Sequence, residues 1–235
     1  MSRKKGAFMK RVVIQRALAA IALIGALIAP EVWAYGQHDL TQVVRTVEGP
    51  QGRKRQLDMG VVNAIIGDLA RHAHTYPTQF KDDKERQRAT QDAGNLSGML
   101  NILTSSGSVQ PELLLSVGRL NAMAHNLDVS GAAQRADAAF QQLLMNQPEH
   151  PQGNYEYGLF LASSSRPKAA IPYLEKAMTQ GVDAAPYTLD LAYLALNDKR
   201  KALESFHGYT KKHPEDGIAQ RLTKTIREGY VDSHR

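Results

Sequence analysis

Cysteine is absent from the 235 residues of the chain. This absence excludes a disulfide framework, a thiol nucleophile and any metal site built on thiolates. The sequence also has no HExxH pair, no glycine-rich phosphate loop and no GxSxG nucleophile turn, so the familiar signatures of several enzyme classes are missing. After residue 57 there is no alternating strand pattern and no low-complexity segment. What remains is a helical sequence without an evident catalytic constellation.

The one long apolar run lies near the N-terminus. It extends without a charge from Ala17 to Ala29 and follows a segment with six basic residues. Val32 and Ala34 stand at the two positions that a signal peptidase reads, so we predict a signal peptide over residues 1–34 that is cleaved after Ala34. The alternative is a retained anchor helix, for which the run is short, since a membrane span needs roughly 20 residues.

The excess of positive charge belongs to this N-terminal segment. The whole chain has 29 Lys and Arg and 23 Asp and Glu. Residues 1–34 hold six of the bases and one of the acids, which leaves 23 and 22 and a net charge of +1. A nucleic-acid partner, which a strongly basic chain would favour, is therefore not predicted. We predict a periplasmic (or secreted) protein with no cofactor, no bound metal and no stable membrane span after cleavage.

Two stretches precede the regular part of the chain. Residues 35–56 contain three glycines, a proline and a basic cluster at 53–55, and we interpret them as a flexible or extended tail. The β-branched residues at 41–47 also allow a pairing strand. From residue 57 onward apolar residues recur at helical spacing, and residues 57–116 are predicted to form an N-terminal helical hairpin region.

A spacing recurs three times in the second half of the chain. A small residue at Ala136, Ala170 and Ala202 is followed four residues later by a large one, and the three small residues recur at nearly equal intervals. Pro148 and Pro214 close two of the three units. A period of roughly 34 residues in helical sequence indicates stacked helical hairpins, each with an apolar face that the next one buries. The large residues are Phe140, Leu174 and Phe206.

Over residues 117–216 this pattern resembles three units of the tetratricopeptide repeat (TPR) family. The resemblance implies an all-α fold, a right-handed superhelix of antiparallel helical hairpins that is called a TPR-like α-solenoid. The N-terminal helical hairpin would precede the repeats, and residues 217–235 would supply a C-terminal capping helix and tail.

The three units keep the family's pattern unevenly. The small residue of the first helix, which lets the second helix approach closely, is Ala124 in the first unit and Gly158 in the second. In the third unit Asp190 stands at this place, and Pro186 replaces a large residue, which predicts a helix that starts at Pro186. Pro172 lies in the second helix of the middle unit and is expected near its first turn or at a slight kink.

The resemblance also implies how the protein acts. First helices of such units tend to line a concave groove that binds an extended peptide or a helix of a partner protein. The chain would then be a protein-binding adaptor or assembly factor of the bacterial cell envelope and not an enzyme. Burial within the stack is the alternative for the three leucines of this groove. Carried over by position, the groove residues are Asn121, His125 and Asp128 in the first unit, Tyr155, Leu159 and Ala162 in the second, and Tyr187, Leu191 and Leu194 in the third.

Two alternatives of other classes stay open. One is an envelope enzyme, a metal-dependent hydrolase, whose site lies in residues 57–116 and uses His72 or His74. Residues two apart on a helix point to different faces, which favours two solvated histidines over a chelating pair. The other alternative is a structural subunit that self-associates.

Overall fold

The computed structural model describes residues 34–49, 52–104 and 109–232. Apart from Ala34, the predicted signal peptide lies outside the described residues. This part of the chain contains nine α-helices and one β-hairpin, and none of its helices is long and apolar enough to cross a membrane. It divides into two compact units, an N-terminal unit that ends at Gln147 and a C-terminal unit that begins at Pro148.

The N-terminal unit begins with an extended segment that is held against the helices. A short 3-10 helix (Leu40–Val43) leads to strands β1 (Val44–Gly49) and β2 (Gly52–Leu57), which pair antiparallel. Tyr35 and Val43 are buried in the hydrophobic core. Of the two interpretations of this stretch, the structure agrees with the extended one that contains a pairing strand. Its backbone is extended, but apolar burial and strand pairing fix it.

Four helices complete the N-terminal unit around a shared hydrophobic core. The core takes Leu69, Leu96 and Leu120 from three successive helices, and all three are fully buried. The first and the second helix both pack against the third, which packs against the fourth. Each helix is apolar on one side only, and this packing removes those sides from water. In chain order the helices are α1 (Met59–Ala73), α2 (Asp83–Thr104), α3 (Pro111–Asn126) and α4 (Ala132–Asn146).

Five helices follow one another in the C-terminal unit, and each packs against the next. The turns between them are short and use left-handed backbone at Ser165, Gly181 and Asn197, with φ of 62°, 81° and 60°. Such short connections make neighbouring helices antiparallel. In chain order the helices are α5 (Pro151–Ser163), α6 (Pro167–Thr179), α7 (Ala185–Ala195), α8 (Lys199–Lys212) and α9 (Gly217–Asp232).

The succession of packed helical pairs confirms the predicted all-α architecture. Pro186 lies in the first turn of α7, as predicted. Pro172 is the sixth residue of α6 and lies just beyond its first turn. There its missing N–H group deprives the carbonyl of Lys168 of its usual helical hydrogen bond. The alternative of a slight kink stays a prediction.

Candidate partner-binding face

A close contact between α5 and α6 fixes the register of the middle hairpin. Gly158 is the eighth residue of α5, and a Cβ atom added to it would stand 2.6 Å from Leu174 Cγ and 3.3 Å from the Leu174 backbone nitrogen. These separations are well inside normal carbon contact distances, so a side chain at this position does not fit. The predicted role of Gly158 in helix approach is confirmed.

Three residues of α5 form a stripe beside this contact. Tyr155, Leu159 and Ala162 lie three before, one after and four after Gly158, and this spacing places them on one face of the helix. Each of the three is half-buried. The stripe is therefore partly supported by the fold and partly open to solvent.

On α7, the residues three before, one after and four after Asp190 form a second stripe. It consists of Tyr187, Leu191 and Leu194, which are also half-buried. Helices α5 and α7 are in contact within the C-terminal unit. The predicted groove leucines are thus not fully buried in the stack. We call the six residues Tyr155, Leu159, Ala162, Tyr187, Leu191 and Leu194 the α5–α7 face.

Tyr187 also takes part in packing. Its ring centroid lies 6.1 Å from that of Phe206 and 6.0 Å from that of Tyr209, both on α8. Burial, followed by the charges of Asp216 and Asp190, raises the pKa of its phenol. Leu194 packs against the same cluster around Phe206. The α7 half of the face therefore depends on how α7 packs against α8.

Asn121 is fully buried inside the N-terminal unit. Its Oδ1 accepts hydrogen bonds from Ser97 Oγ at 2.6 Å and from Arg135 Nε at 2.9 Å, and its amide donates to the carbonyl of Val117 at 2.9 Å. The side chain thus joins α2, α3 and α4 in one buried network. Because it does not lie on a surface that a partner can contact, its assignment to a groove is corrected.

His125 and Asp128 lie at the C-terminal end of α3. His125 is half-buried, and Asp128 is exposed in the following turn with φ of 64°. The Asp128 carboxylate is 3.1 Å from the guanidinium of Arg86 on α2. Both side chains are largely exposed, so this ion pair contributes at most about 1 kcal/mol. His125 and Asp128 therefore do not correspond in position to the residues of the stripe on α5.

Gly118 sets the register of α3 against α4. The predicted alignment of the first unit, which placed the close contact at Ala124, is therefore shifted along the helix. It is the eighth residue of α3, and a Cβ atom on it would stand 2.5 Å from Cε1 of Phe140 in α4. The prediction placed this contact at Ala124, six residues too late, because α3 is three residues longer than α5 and its following turn is also longer. The offsets of the α5 stripe correspond on α3 to Leu115, Arg119 and Ala122, which are half-buried.

The repeat units were aligned on their second helices, and the prediction therefore did not include Leu115, Arg119 and Ala122 of α3. The interval from Phe140 to Leu174 agrees with the repeat period, whereas the interval from Gly118 to Gly158 is longer. Gly118 was the residue in the sequence that could have set the register of α3. Because α3 is longer than α5, the spacing between the two glycines departs from the repeat period, although each glycine makes the same kind of packing contact.

The histidines of α1 differ from each other in environment. His74 is exposed, but His72 is buried, which corrects the expectation of two solvated side chains. The Nδ1 atom of His72 lies 2.9 Å from the carbonyl oxygen of Gln79, and its ring stacks on Phe80 with centroids 5.0 Å apart. Among the described residues, no group of three or more His, Asp or Glu side chains is arranged to hold a metal ion.

Comparison with known proteins supports the repeat. Residues 121–188 match a family model described as Tetratricopeptide repeat. The solved structure of the MamA RS-1 ArsTM double mutant is similar with a TM-score of 0.51 and 22% identity, over 63% of this chain and 85% of that one. No curated protein matches the chain significantly. The family match supports the predicted repeat family, and the similarity to this structure supports the helical fold.

Two further solved structures show weaker similarity. YrrB, described as a TPR protein with an unusual peptide-binding site, has a TM-score of 0.49 and 17% identity over 71% of this chain and 87% of its own. TTC0263, described as a thermophilic TPR protein in Thermus thermophilus, has a TM-score of 0.47 and 13% identity over 72% of this chain and 91% of its own.

Proposed function

We propose that the protein is an exported adaptor or assembly factor of the bacterial cell envelope that binds a peptide or a helix of a partner protein. The N-terminal sequence supports export, since a basic segment and an apolar run precede a suitable cleavage site at Ala34. The helical repeat fold supports protein binding, because stacked hairpins present an extended surface to a partner.

The α5–α7 face is the observation that carries the proposal. Its two tyrosines are half-buried, so each ring is supported by the protein and still has surface that a partner can cover. None of the six residues carries a charge. Covering such apolar surface contributes roughly 25 cal/mol per Å², and aromatic side chains are frequent anchors of binding. The chemistry suits a partner segment with regularly spaced apolar residues.

Crosslinking from the α5–α7 face tests the proposal. With a photo-crosslinking amino acid at Tyr155 in living cells, we expect a specific partner protein to be captured. Adding Leu159→Arg should lower this capture on the order of tenfold, because a partner would have to bury the new charge. The helical content of the variant, measured by circular dichroism, should be unchanged.

The matched control places the same crosslinker at Lys168, which is exposed on α6. We expect no capture of that partner from this position. Equal capture from both positions, or capture from position 155 that Leu159→Arg leaves unchanged, would contradict a role of the face in binding.

A further inference from the structure

A carboxyl group on α7 occupies the place that glycine has in the other two hairpins. Asp190 lies sixteen residues before Phe206, as Gly158 lies sixteen residues before Leu174. It is fully buried, with α7 packed against α8. The position that demands the smallest side chain elsewhere therefore holds an ionisable one here.

Asp190 is buried without adequate compensation of its carboxylate charge. Among the described residues, neither of its carboxylate oxygens has a partner that meets hydrogen-bond distance and angle, and the same holds for the buried hydroxyl of Ser205 on α8. An ionised carboxylate costs far more to bury in this way than a neutral carboxyl group. Burial raises the pKa of Asp190 to about 8, and only the nearby Ser205 hydroxyl acts in the opposite direction.

Among the described residues, no positively charged side chain is a cause of the pKa shift of this carboxylate. On α5, Glu156 accepts a hydrogen bond from Gln152, and on α6, Glu175 accepts one from the Tyr193 hydroxyl at 2.8 Å. The ammonium group of Lys201 on α8 lies over the Tyr193 ring, 5.2 Å from its centroid. Further titratable groups near α7 are the phenols of Tyr187 and Tyr193 on α7 itself, the Asp198 carboxylate ahead of α8 and the Asp216 carboxylate ahead of α9.

We propose that Asp190 makes the packing of α7 against α8 sensitive to pH, so that this hairpin is closed in acid and loosens as the pH rises. The effect on binding rests on the proposed function. Tyr187, Leu191 and Leu194 belong to the same helix as Asp190, so a loosened α7 would withdraw half of the α5–α7 face. Binding at this face is then regulated by a group that no partner touches.

The direction of the effect follows from proton linkage. The closed hairpin holds the proton of Asp190 more tightly than an open one, in which the pKa returns to about 3.9. The stabilisation by this group is therefore complete below about pH 4 and is lost as the pH rises to the folded pKa of about 8.

Amide hydrogen exchange of the protein without a partner tests the first step. Between pH 6 and pH 9, after correction for intrinsic exchange, the opening constant of the α7 and α8 amides should rise ~100-fold. The amides of the α5–α6 hairpin, which has Gly158 at the equivalent position, are the internal reference. Asp190→Asn keeps the size and removes the charge, and it should abolish the rise.

Two further variants control for folding and for general charge effects. Asp190→Gly restores the residue of the other hairpins and should also abolish the rise. Asp183→Asn, at an exposed position just before α7, should retain it. An opening constant that does not change with pH in the unmodified protein, or that rises equally in Asp190→Asn, would overturn the proposal.

A second experiment measures partner binding by crosslinking, independently of the opening of α7 and α8. Capture by a crosslinker at Tyr187 should fall with rising pH more than capture at Tyr155, and Asp190→Gly should remove this difference. A pH-dependent opening of α7 and α8 without specific capture at any pH would support the role of Asp190 and overturn the proposed function.

Discussion

Gly118 and Gly158 hold the first and second helices of two hairpins at close distance. In each case an added Cβ atom would meet a large side chain of the following helix. Gly98, in the middle of α2, differs from them, since nothing outside its own helix lies within 4 Å of an added Cβ atom. The same substitution at Gly118 and at Gly98 therefore separates a packing effect from a backbone effect within one unit.

We expect Gly118→Ala to lower the free energy of unfolding by about 1–3 kcal/mol, because the ring of Phe140 must move to accept a methyl group. Gly98→Ala should instead raise it by about 0.5–1 kcal/mol, since alanine is the better helix former and meets no neighbour. Urea unfolding of the two variants measures both values. Equal effects would show that Gly118 does not set the register of α3.

The second contact allows a parallel experiment in the C-terminal unit. Gly158→Leu should cost about 1–3 kcal/mol or more through overpacking against Leu174. Gly208 on α8 is the matched control, because no atom lies within 4 Å of an added Cβ there. A melting temperature that Gly158→Leu leaves at the level of Gly208→Leu would contradict the assigned packing.

At the scale of elements, one carboxylate fixes the extended N-terminal segment to α1. The Oδ2 atom of Asp68 lies 2.9 Å from the backbone nitrogen of Gly36 and 2.7 Å from Nε2 of His38, and Oδ1 is 2.6 Å from the guanidinium of Arg71. Burial alone would raise the pKa of Asp68. The hydrogen bonds from Gly36 and His38 and the charge of Arg71 outweigh it, so that this pKa is lowered.

We expect Asp68→Asn to release this segment, because the amide cannot replace the charged hydrogen bonds, each worth about 1.5–3 kcal/mol. Limited trypsin digestion should then cut at Arg45 sooner than in the unmodified protein. The lowered pKa also means that the contribution of Asp68 is present above the unfolded value and is lost as the pH falls through the folded one.

Asp83→Asn, at an exposed position in α2, is the control for the loss of one negative charge. It should leave the rate of digestion at Arg45 nearly unchanged. A segment that stays equally protected in Asp68→Asn would mean that the burial of Tyr35 and Val43 is sufficient to hold it.

The helices were predictable from sequence, whereas of the β-hairpin only the first strand had a signal, in the β-branched residues at 41–47. Apolar residues at helical spacing, with proline and glycine between the runs, identify each helix locally. Strand β2 lacks such a signal, since Arg53, Lys54 and Arg55 are all exposed and give no alternation. It is a strand because it pairs with β1, and pairing of this kind is not visible in the strand's own residues.

The candidate site was predictable where repeat spacing and packing agree. They agree around Gly158, where Tyr155 and Leu159 lie on one face of α5 as the spacing predicts; that this face binds a partner stays a prediction. They disagree in the first unit, where the extra length of α3 moved the predicted residues onto the buried Asn121 and the turn at Asp128. Helix length is set by contacts that the repeat period does not encode.

At the scale of the whole molecule, two buried carboxyl groups respond to pH in opposite directions. The contribution of Asp68 to the N-terminal unit is lost in acid, and that of Asp190 to the C-terminal unit is lost toward alkaline pH. The two units should therefore differ in the pH at which each is most stable. Hydrogen exchange resolves the units separately and can detect this difference.

The proposed export predicts the N-terminus of the mature protein. We expect the chain recovered from the periplasm to begin at Tyr35, as N-terminal sequencing or intact mass would show. Ala34→Arg should leave an uncut precursor, because the peptidase requires a small residue at this position. Gln37→Arg, three residues further on and exposed, should be processed normally. An uncut chain in the membrane fraction of unmodified cells would indicate a retained anchor.

The burial of Tyr35 bears on the order of the proposed cleavage after Ala34 and the folding of the N-terminal unit. Its side chain is inserted into the core, its hydroxyl donates to Asp92 at 3.0 Å, and its carbonyl accepts a hydrogen bond from Arg88. A protease needs an accessible, extended substrate on both sides of the bond that it cuts. If the chain completed folding before the proposed cleavage, Tyr35 on the C-terminal side of the proposed bond would already be buried in the core. Under the proposed export, we therefore expect cleavage after Ala34 to come before the N-terminal unit closes, and a delay in processing to leave precursor that can no longer be cut.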